Sequence, residues 1–190
     1  MKRQCGDCQL CCRLLPMRDN EPWRDGASID KPANVRCPHQ KHGVGCAIYD
    51  KRPFCCQVWT CRWLINNDMA DQSRPDRSHL VVDVMPDYVT IKADGEQDRK
   101  IQVIQVWCDP RYPDAHRDPA FRRYLARRGE QEGVIALIRY NARDALTIIP
   151  PAMAPDRQFH EIDRTVSTVA ERTQKEMAEF FGDARIGIEF

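Results

Sequence analysis

Between Leu80 and Ile149 the apolar residues fall into short runs with a period of two. Leu80 to Val84, Tyr88 to Lys92 and Lys100 to Trp107 are rich in β-branched and aromatic residues, which predicts strands. Met85-Pro86-Asp87 and Ala93-Asp94-Gly95-Glu96 separate them as turns, so the three runs are expected to form an antiparallel meander. Asp118 suits a helix cap with Pro119 in the first turn; Phe121, Tyr124 and Leu125 supply the apolar face, and Gly129 is expected to stop the helix. Val134 to Tyr140 and Ala145 to Ile149 flank the polar turn Asn141-Ala142-Arg143-Asp144 and extend the same sheet, and Pro150-Pro151 ends the run. Phe159, Ile162, Val166, Val169, Thr173, Met177 and Phe180 then recur at steps of three and four, predicting an amphipathic helix closed by Gly182.

The first third of the chain has no such periodicity. From Leu15 to Cys46 it carries Pro16, Pro22, Gly26, Pro32, Pro38, Gly43 and Gly45 with few regularly spaced apolar positions, which predicts irregular loop. Arg52 and Pro53 open a predicted helix running to about Asn66, with Phe54, Val58, Trp59 and Leu64 as its apolar surface. The expected fold class is therefore α+β. A cysteine-rich module over residues 1–67 packs on an antiparallel sheet with flanking helices, and residues 78–190 form the second lobe.

Composition narrows the function. A chain of 190 residues fits one domain, or a small module fused to a compact lobe. Charged residues make up 30% of it but nearly cancel, leaving +1, so bulk electrostatics gives no reason to expect nucleic acid or a membrane surface as partner. Residues 1–20 contain no uninterrupted apolar run, so neither a signal-peptide core nor a membrane span is expected there, and the protein is read as cytoplasmic. In a reducing compartment clustered cysteines point to metal binding or redox chemistry rather than to disulfides.

The cysteines are strongly clustered. Nine of the ten, Cys5, Cys8, Cys11, Cys12, Cys37, Cys46, Cys55, Cys56 and Cys61, precede residue 62, and Cys108 alone follows. Were Cys5 to Cys12 helical, Cys8, Cys11 and Cys12 would lie at about 300°, 240° and 340° from Cys5, all within one third of the surface. Alternatively Cys5 to Cys8 forms a knuckle turn whose two sulfurs reach one metal. If helical, Cys11 and Cys12 point about 100° apart, which suits adjacent metals or a multinuclear cluster better than one ion. With Cys37, Cys46, Cys55, Cys56 and Cys61 there are thiolates enough for two four-coordinate sites with one left over. His39, two residues after Cys37, is a further candidate nitrogen ligand, whereas Cys108 reads as a small buried hydrophobe.

Cys5-x-x-Cys8-x-x-Cys11-Cys12, then Cys37, then Cys46-Ala47-Ile48-Tyr49-Asp50-Lys51-Arg52-Pro53-Phe54-Cys55-Cys56-Gln57-Val58-Trp59, resembles the CxxCxxCC cysteine-cluster family of the YkgJ type, described as zinc- or iron-chelating. The resemblance covers residues 5–61. It assigns Cys46, Tyr49, Arg52, Pro53, Cys56 and Trp59 to the family pattern, with Cys55 at a variable place and Cys61 outside the core motif. It implies metal chelation. One relative, the flagellin lysine N-methylase, has a similar cysteine motif and is linked to an iron-sulfur cluster.

The expected metal ligands are Cys5, Cys8, Cys11, Cys12, Cys37, Cys46, Cys56 and Cys61, holding zinc or iron, the latter including an iron-sulfur cluster. Soft sulfur donors disfavour magnesium, calcium and manganese. Two readings follow: a metal-binding protein with a structural or metal-handling role, or an iron-sulfur protein with redox or methylase-type activity. The chain has no glycine-rich phosphate loop, His-Glu-x-x-His or nucleophile elbow. Asp109, Asp114, His116 and Asp118 crowd one turn and could line a cleft, though solvated turn residues are the simpler reading. Arg117, Arg122, Arg123, Arg127 and Arg128 form no single helical stripe, so nucleic acid is not expected as partner.

Overall fold

In the computed structural model, which describes residues 3–19, 29–83, 87–92, 99–141, 143–165 and 185–187, the organising element is β7 (Arg99–Cys108), a strand of 10 residues. Preceding it, β5 (Leu80–Val82) and β6 (Asp87–Lys92) both run antiparallel along one of its edges, with Val82 opposite Val106 and Asp87 opposite Val103. Its other edge is taken by β8 (Ile135–Arg139), which runs parallel to it with Val103 opposite Ile135. The expected meander is thus corrected in two ways. The first two runs are successive partners of one strand rather than neighbours of each other, and the backbone N–H of Asp83 keeps the ladder going by donating to the Gln105 carbonyl at 2.9 Å. The sheet is mixed, because a helix intervenes before β8 and supplies the crossover that parallel pairing requires.

That helix, α5 (Pro119–Glu132), begins as its sequence predicts. The Asp118 carboxylate accepts hydrogen bonds from the backbone N–H groups of Ala120 and Phe121 at 2.9 and 3.1 Å, satisfying donors that the helix itself cannot. It does not stop at Gly129. A Cβ there would lie 2.8 Å from the Pro150 Cβ, so Gly129 allows close packing inside the helix, and Gly133, left-handed at φ 63°, is the cap.

Antiparallel β9 (Asp144–Ile149) follows β8, and β10 (His160–Thr165) adds to β9 with Ile162 opposite Thr147. The predicted helix from Phe159 is therefore a strand over His160–Thr165: the unpaired edge of β9 offers a full ladder of backbone partners, which outweighs a spacing shared by few residues. Val166 to Gly182 lie outside the described residues. With β11 (Arg185–Gly187) on β6, the order is β10-β9-β8-β7-β6-β11, β5 also pairing with β7.

The alternation along β7 decides what covers each face. Ile104, Val106 and Cys108 join Leu80, Val82, Phe121, Tyr124 and Leu125 in a core under α5, whereas Trp107 and Val81 point the other way and pack with Leu10, Leu14, Leu15 and Cys61. Burial on both faces explains why Ile101 to Cys108 is almost continuously apolar.

The N-terminal segment is less irregular than its prolines and glycines suggest. It contains α1 (Leu10–Leu14), the antiparallel pair β1 (Met17–Asp19) and β2 (Ile29–Lys31), and the short pair β3 (Gln40–Lys41) and β4 (Gly45–Cys46). The single helix expected from Arg52 to Asn66 is split into α2 (Phe54–Val58) and α3 (Arg62–Ile65). Trp59 and Cys61 between them are extended, at ψ 136° and 130°, because Cys61 makes an antiparallel bridge to Asp83 at the sheet. A short α4 (Pro75–Ser78) then leads into β5.

Candidate metal centre

The string from Cys5 to Cys12 is not one helix. The Cys8 N–H donates to the Cys5 carbonyl at 3.0 Å, closing a knuckle turn in which Gly6 adopts φ 55°, a conformation that glycine enters without strain. Arg74, just before α4, holds this turn. Its guanidinium donates to the Cys5 carbonyl at 3.3 Å, pairs with Asp7 at 2.8 Å and is itself braced by Asp76 at 2.6 Å. After the turn, α1 carries Cys11 and Cys12 while Leu10 and Leu14 bury its inner side.

Cys5, Cys8, Cys11 and Cys61 line one cavity, closed by Trp63, Leu64, Pro75 and Val81. Its volume is about 10 Å³, close to the roughly 10–15 Å³ that a single water-sized guest needs. Three different parts of the chain supply the thiols: the knuckle, α1 and the extended break before α3. The Cys61 bridge to Asp83 therefore brings a remote sulfur to the first three.

Further thiols lie beyond Cys12, which is hydrogen-bonded to Cys11. The Cys37 N–H donates to the Cys12 carbonyl at 3.2 Å, and α2 presents Cys55 and Cys56 to β1. The Met17 sulfur sits 3.8 Å from Cys55 Sγ and 3.9 Å from Cys56 Sγ, which are 3.8 Å from each other. Lys31 faces this group. Met17 and Lys31 are directly opposite on β1 and β2, so their side chains project from the same side of the pair. The Lys31 side chain is buried, its ammonium donating to the carbonyls of Arg13, Leu15 and Pro32. Cys46 lies on β4 opposite Gln40, and no described side-chain contact brings it to either group. His39 contributes its carbonyl to Ala47 N–H at 2.8 Å.

The electrostatics differ between the groups. Burial raises the thiol pKa values of Cys5 and Cys8 and pushes Cys61 up to about 12, because a thiolate taken out of water is penalised. Cys11 is raised furthest by its hydrogen bond with Cys12, then by burial and neighbouring thiolates. Cys12 moves the other way, lowered by that hydrogen bond and by the charges of Lys31 and Arg52. In the second group burial and Cys55 push Cys56 up to about 12. None of the ten cysteines is in a disulfide. Among the described residues no set of three or more His, Cys, Asp or Glu side chains is drawn into a ready metal-holding arrangement.

The acidic turn and four of the arginines, Arg117, Arg122, Arg127 and Arg128, have structural employment. Asp109 is buried and pairs with Arg13 of α1 and, at 3.0 Å, with Arg111. Asp118 caps α5, His116 is buried with Nδ1 2.8 Å from the Pro113 carbonyl, and Asp114 pairs with Arg117 at 2.9 Å. Asp114 and Asp118 do line an open cavity of about 490 Å³ with His79 and Tyr112. Arg117 and Arg122 pair with Glu161, Arg127 with Asp71, and Arg128 with Asp68 and Glu132. Lys31, Arg74, Asp76 and Met17 were not marked by any motif; the opposition of β1 to β2 and the fold around α4 are what reveal them.

Fold and site together define a mixed helix-and-sheet protein whose cysteine-rich segment brings thiols together around one short helix. No family model, curated protein or solved structure matches the chain. Among the described residues no helix is long and apolar enough to cross a membrane.

Proposed function

We propose that the protein binds a thiolate-preferring transition metal, zinc or iron, through Cys5, Cys8, Cys11 and Cys61, in a structural or metal-handling role. Cys12, hydrogen-bonded to Cys11, and Cys37, whose N–H donates to the Cys12 carbonyl, extend the donor set. The observation that carries this reading is the meeting of four thiols from three chain segments around one cavity sized for a single guest.

The donor set suits the metal. Of the four thiols Cys61 is buried, Cys8 and Cys11 are half-buried and Cys5 is exposed; partial burial and neighbouring charges raise the pKa of each, and a bound cation would offset both, releasing protons as it binds. Four sulfur ligands leave no open coordination position, which favours a structural or carrier role over catalysis. Arg74 at the knuckle turn and the Cys61–Asp83 bridge fix the backbone that carries Cys5 and Cys61, which supports this reading.

Metal analysis and absorption spectroscopy of anaerobically purified protein test this. Wild type is expected to hold at least one equivalent of zinc or iron, and Cys8→Ser and Cys61→Ser each to lose one equivalent, while Cys108→Ser retains all of it. Unchanged metal content in the first two variants defeats the reading. Iron with stoichiometric sulfide would instead direct it to an iron-sulfur cluster.

A further inference from the structure

Met17, Cys55 and Cys56 place three sulfur atoms in a nearly equilateral triangle, with edges of 3.8, 3.8 and 3.9 Å. The centre of such a triangle lies at the edge divided by √3, about 2.2 Å, from each corner, close to the roughly 2.3 Å of a metal–thiolate bond. The arrangement arises from the backbone. Adjacent cysteines on the first turn of α2 present both sulfurs to β1, and pairing with β2 turns Met17 towards them.

We propose that Met17, Cys55 and Cys56 form a second, separate metal site that takes a soft monovalent cation, copper(I), in trigonal coordination. A thioether beside thiolates is a donor set that selects copper(I) over zinc, which prefers thiolate, imidazole and carboxylate. Charge points the same way. Two thiolates and one monovalent cation leave a single negative charge, and the Lys31 ammonium, which acts on Cys37, Cys12 and Cys11 and more weakly on Cys56, partly offsets it. Binding replaces two S–H protons, which leave to solvent, with two metal–sulfur bonds and one from the thioether; no electron is transferred when the metal arrives as copper(I). This site goes beyond the four-thiol cavity and does not depend on it.

The test uses the full chain under anaerobic conditions, titrated with the acetonitrile complex of copper(I) in competition with bathocuproine disulfonate. Wild type is expected to hold one tight equivalent, with X-ray absorption showing three sulfurs at a single short distance. Met17→Leu, which keeps the apolar volume, is expected to weaken it at least tenfold, and Met17→Cys to restore it. Cys55→Ser should weaken it likewise, whereas Cys8→Ser should leave it intact. Wild-type affinity in Met17→Leu, or loss of the tight equivalent in Cys8→Ser, overturns the proposal. The zinc or iron content of Cys8→Ser reports separately on the four-thiol cavity.

Discussion

A thiol is a metal ligand only if something holds it in place, and at the scale of single residues several side chains that are not cysteines do this. Arg74 clamps the knuckle turn through the Cys5 carbonyl and Asp7. Asp109 does the same for α1: it ties Arg13, on the helix that carries Cys11 and Cys12, to the end of β7. Burial alone would raise the Asp109 pKa, but hydrogen bonds from Arg111 and Arg13 outweigh it and hold the carboxyl below its usual value. A depressed acid stabilises the fold above its unfolded pKa and ceases to do so as the pH falls through its folded one. Asp109 should therefore contribute fully above about pH 4 and lose its contribution below that. Asp109→Asn is expected to cost about 1–3 kcal/mol in urea unfolding at pH 7, with the gap to wild type closing in acid; a gap that persists at pH 2.5 would separate the effect from the charge. A turn at Cys5 to Cys8 was legible as one of two geometries because Cys-x-x-Cys is a local spacing. Arg74, Asp109, Met17 and Lys31 were not legible, because each acts on a partner remote in sequence.

Local signals and sheet edges competed at the scale of elements. The start of α5 followed from Asp118-Pro119 alone, as capping is local. Its end did not, since Gly129 and Gly133 look alike in sequence and only the approach of Pro150 tells them apart. Gly129→Ala should gain about 1 kcal/mol of helix propensity but lose about 1–3 kcal/mol to overpacking against Pro150. A lowered melting temperature is expected, and an unchanged or raised one would show that Pro150 yields. The helix predicted from Arg52 breaks where Cys61 meets the sheet, and that break is also what delivers Cys61 to the cavity. The strand His160–Thr165 was likewise decided by the edge of β9.

Over the whole molecule, the two faces of β7 belong to different cores. One lies under α5 and has no cysteine but Cys108; the other holds Leu10, Leu14, Leu15 and Cys61 against Val81 and Trp107. Metal binding on the proposed cavity should stabilise the folded state by about 4 kcal/mol at a free metal concentration 1,000 times the Kd. That stabilisation should be felt first in the cysteine-rich layer. Removing the metal with a chelator is expected to reduce amide-exchange protection in α1 and α3 while β8 and β9 stay protected. Equal loss across both layers would instead indicate one cooperative unit.

By itself the sequence determined the ingredients that depend on neighbours along the chain: the alternating strands around β7, the cap of α5 and the concentration of thiols before residue 62. Tertiary structure alone decided how they combine. It made β7 and β8 parallel, turned part of a predicted helix into an edge strand, brought Cys61 to the cavity lined by Cys5, Cys8 and Cys11 and set Met17 beside Cys55 and Cys56. The physical reason is range: capping and periodicity act within a few residues, whereas strand pairing and burial choose partners by free energy over the whole chain.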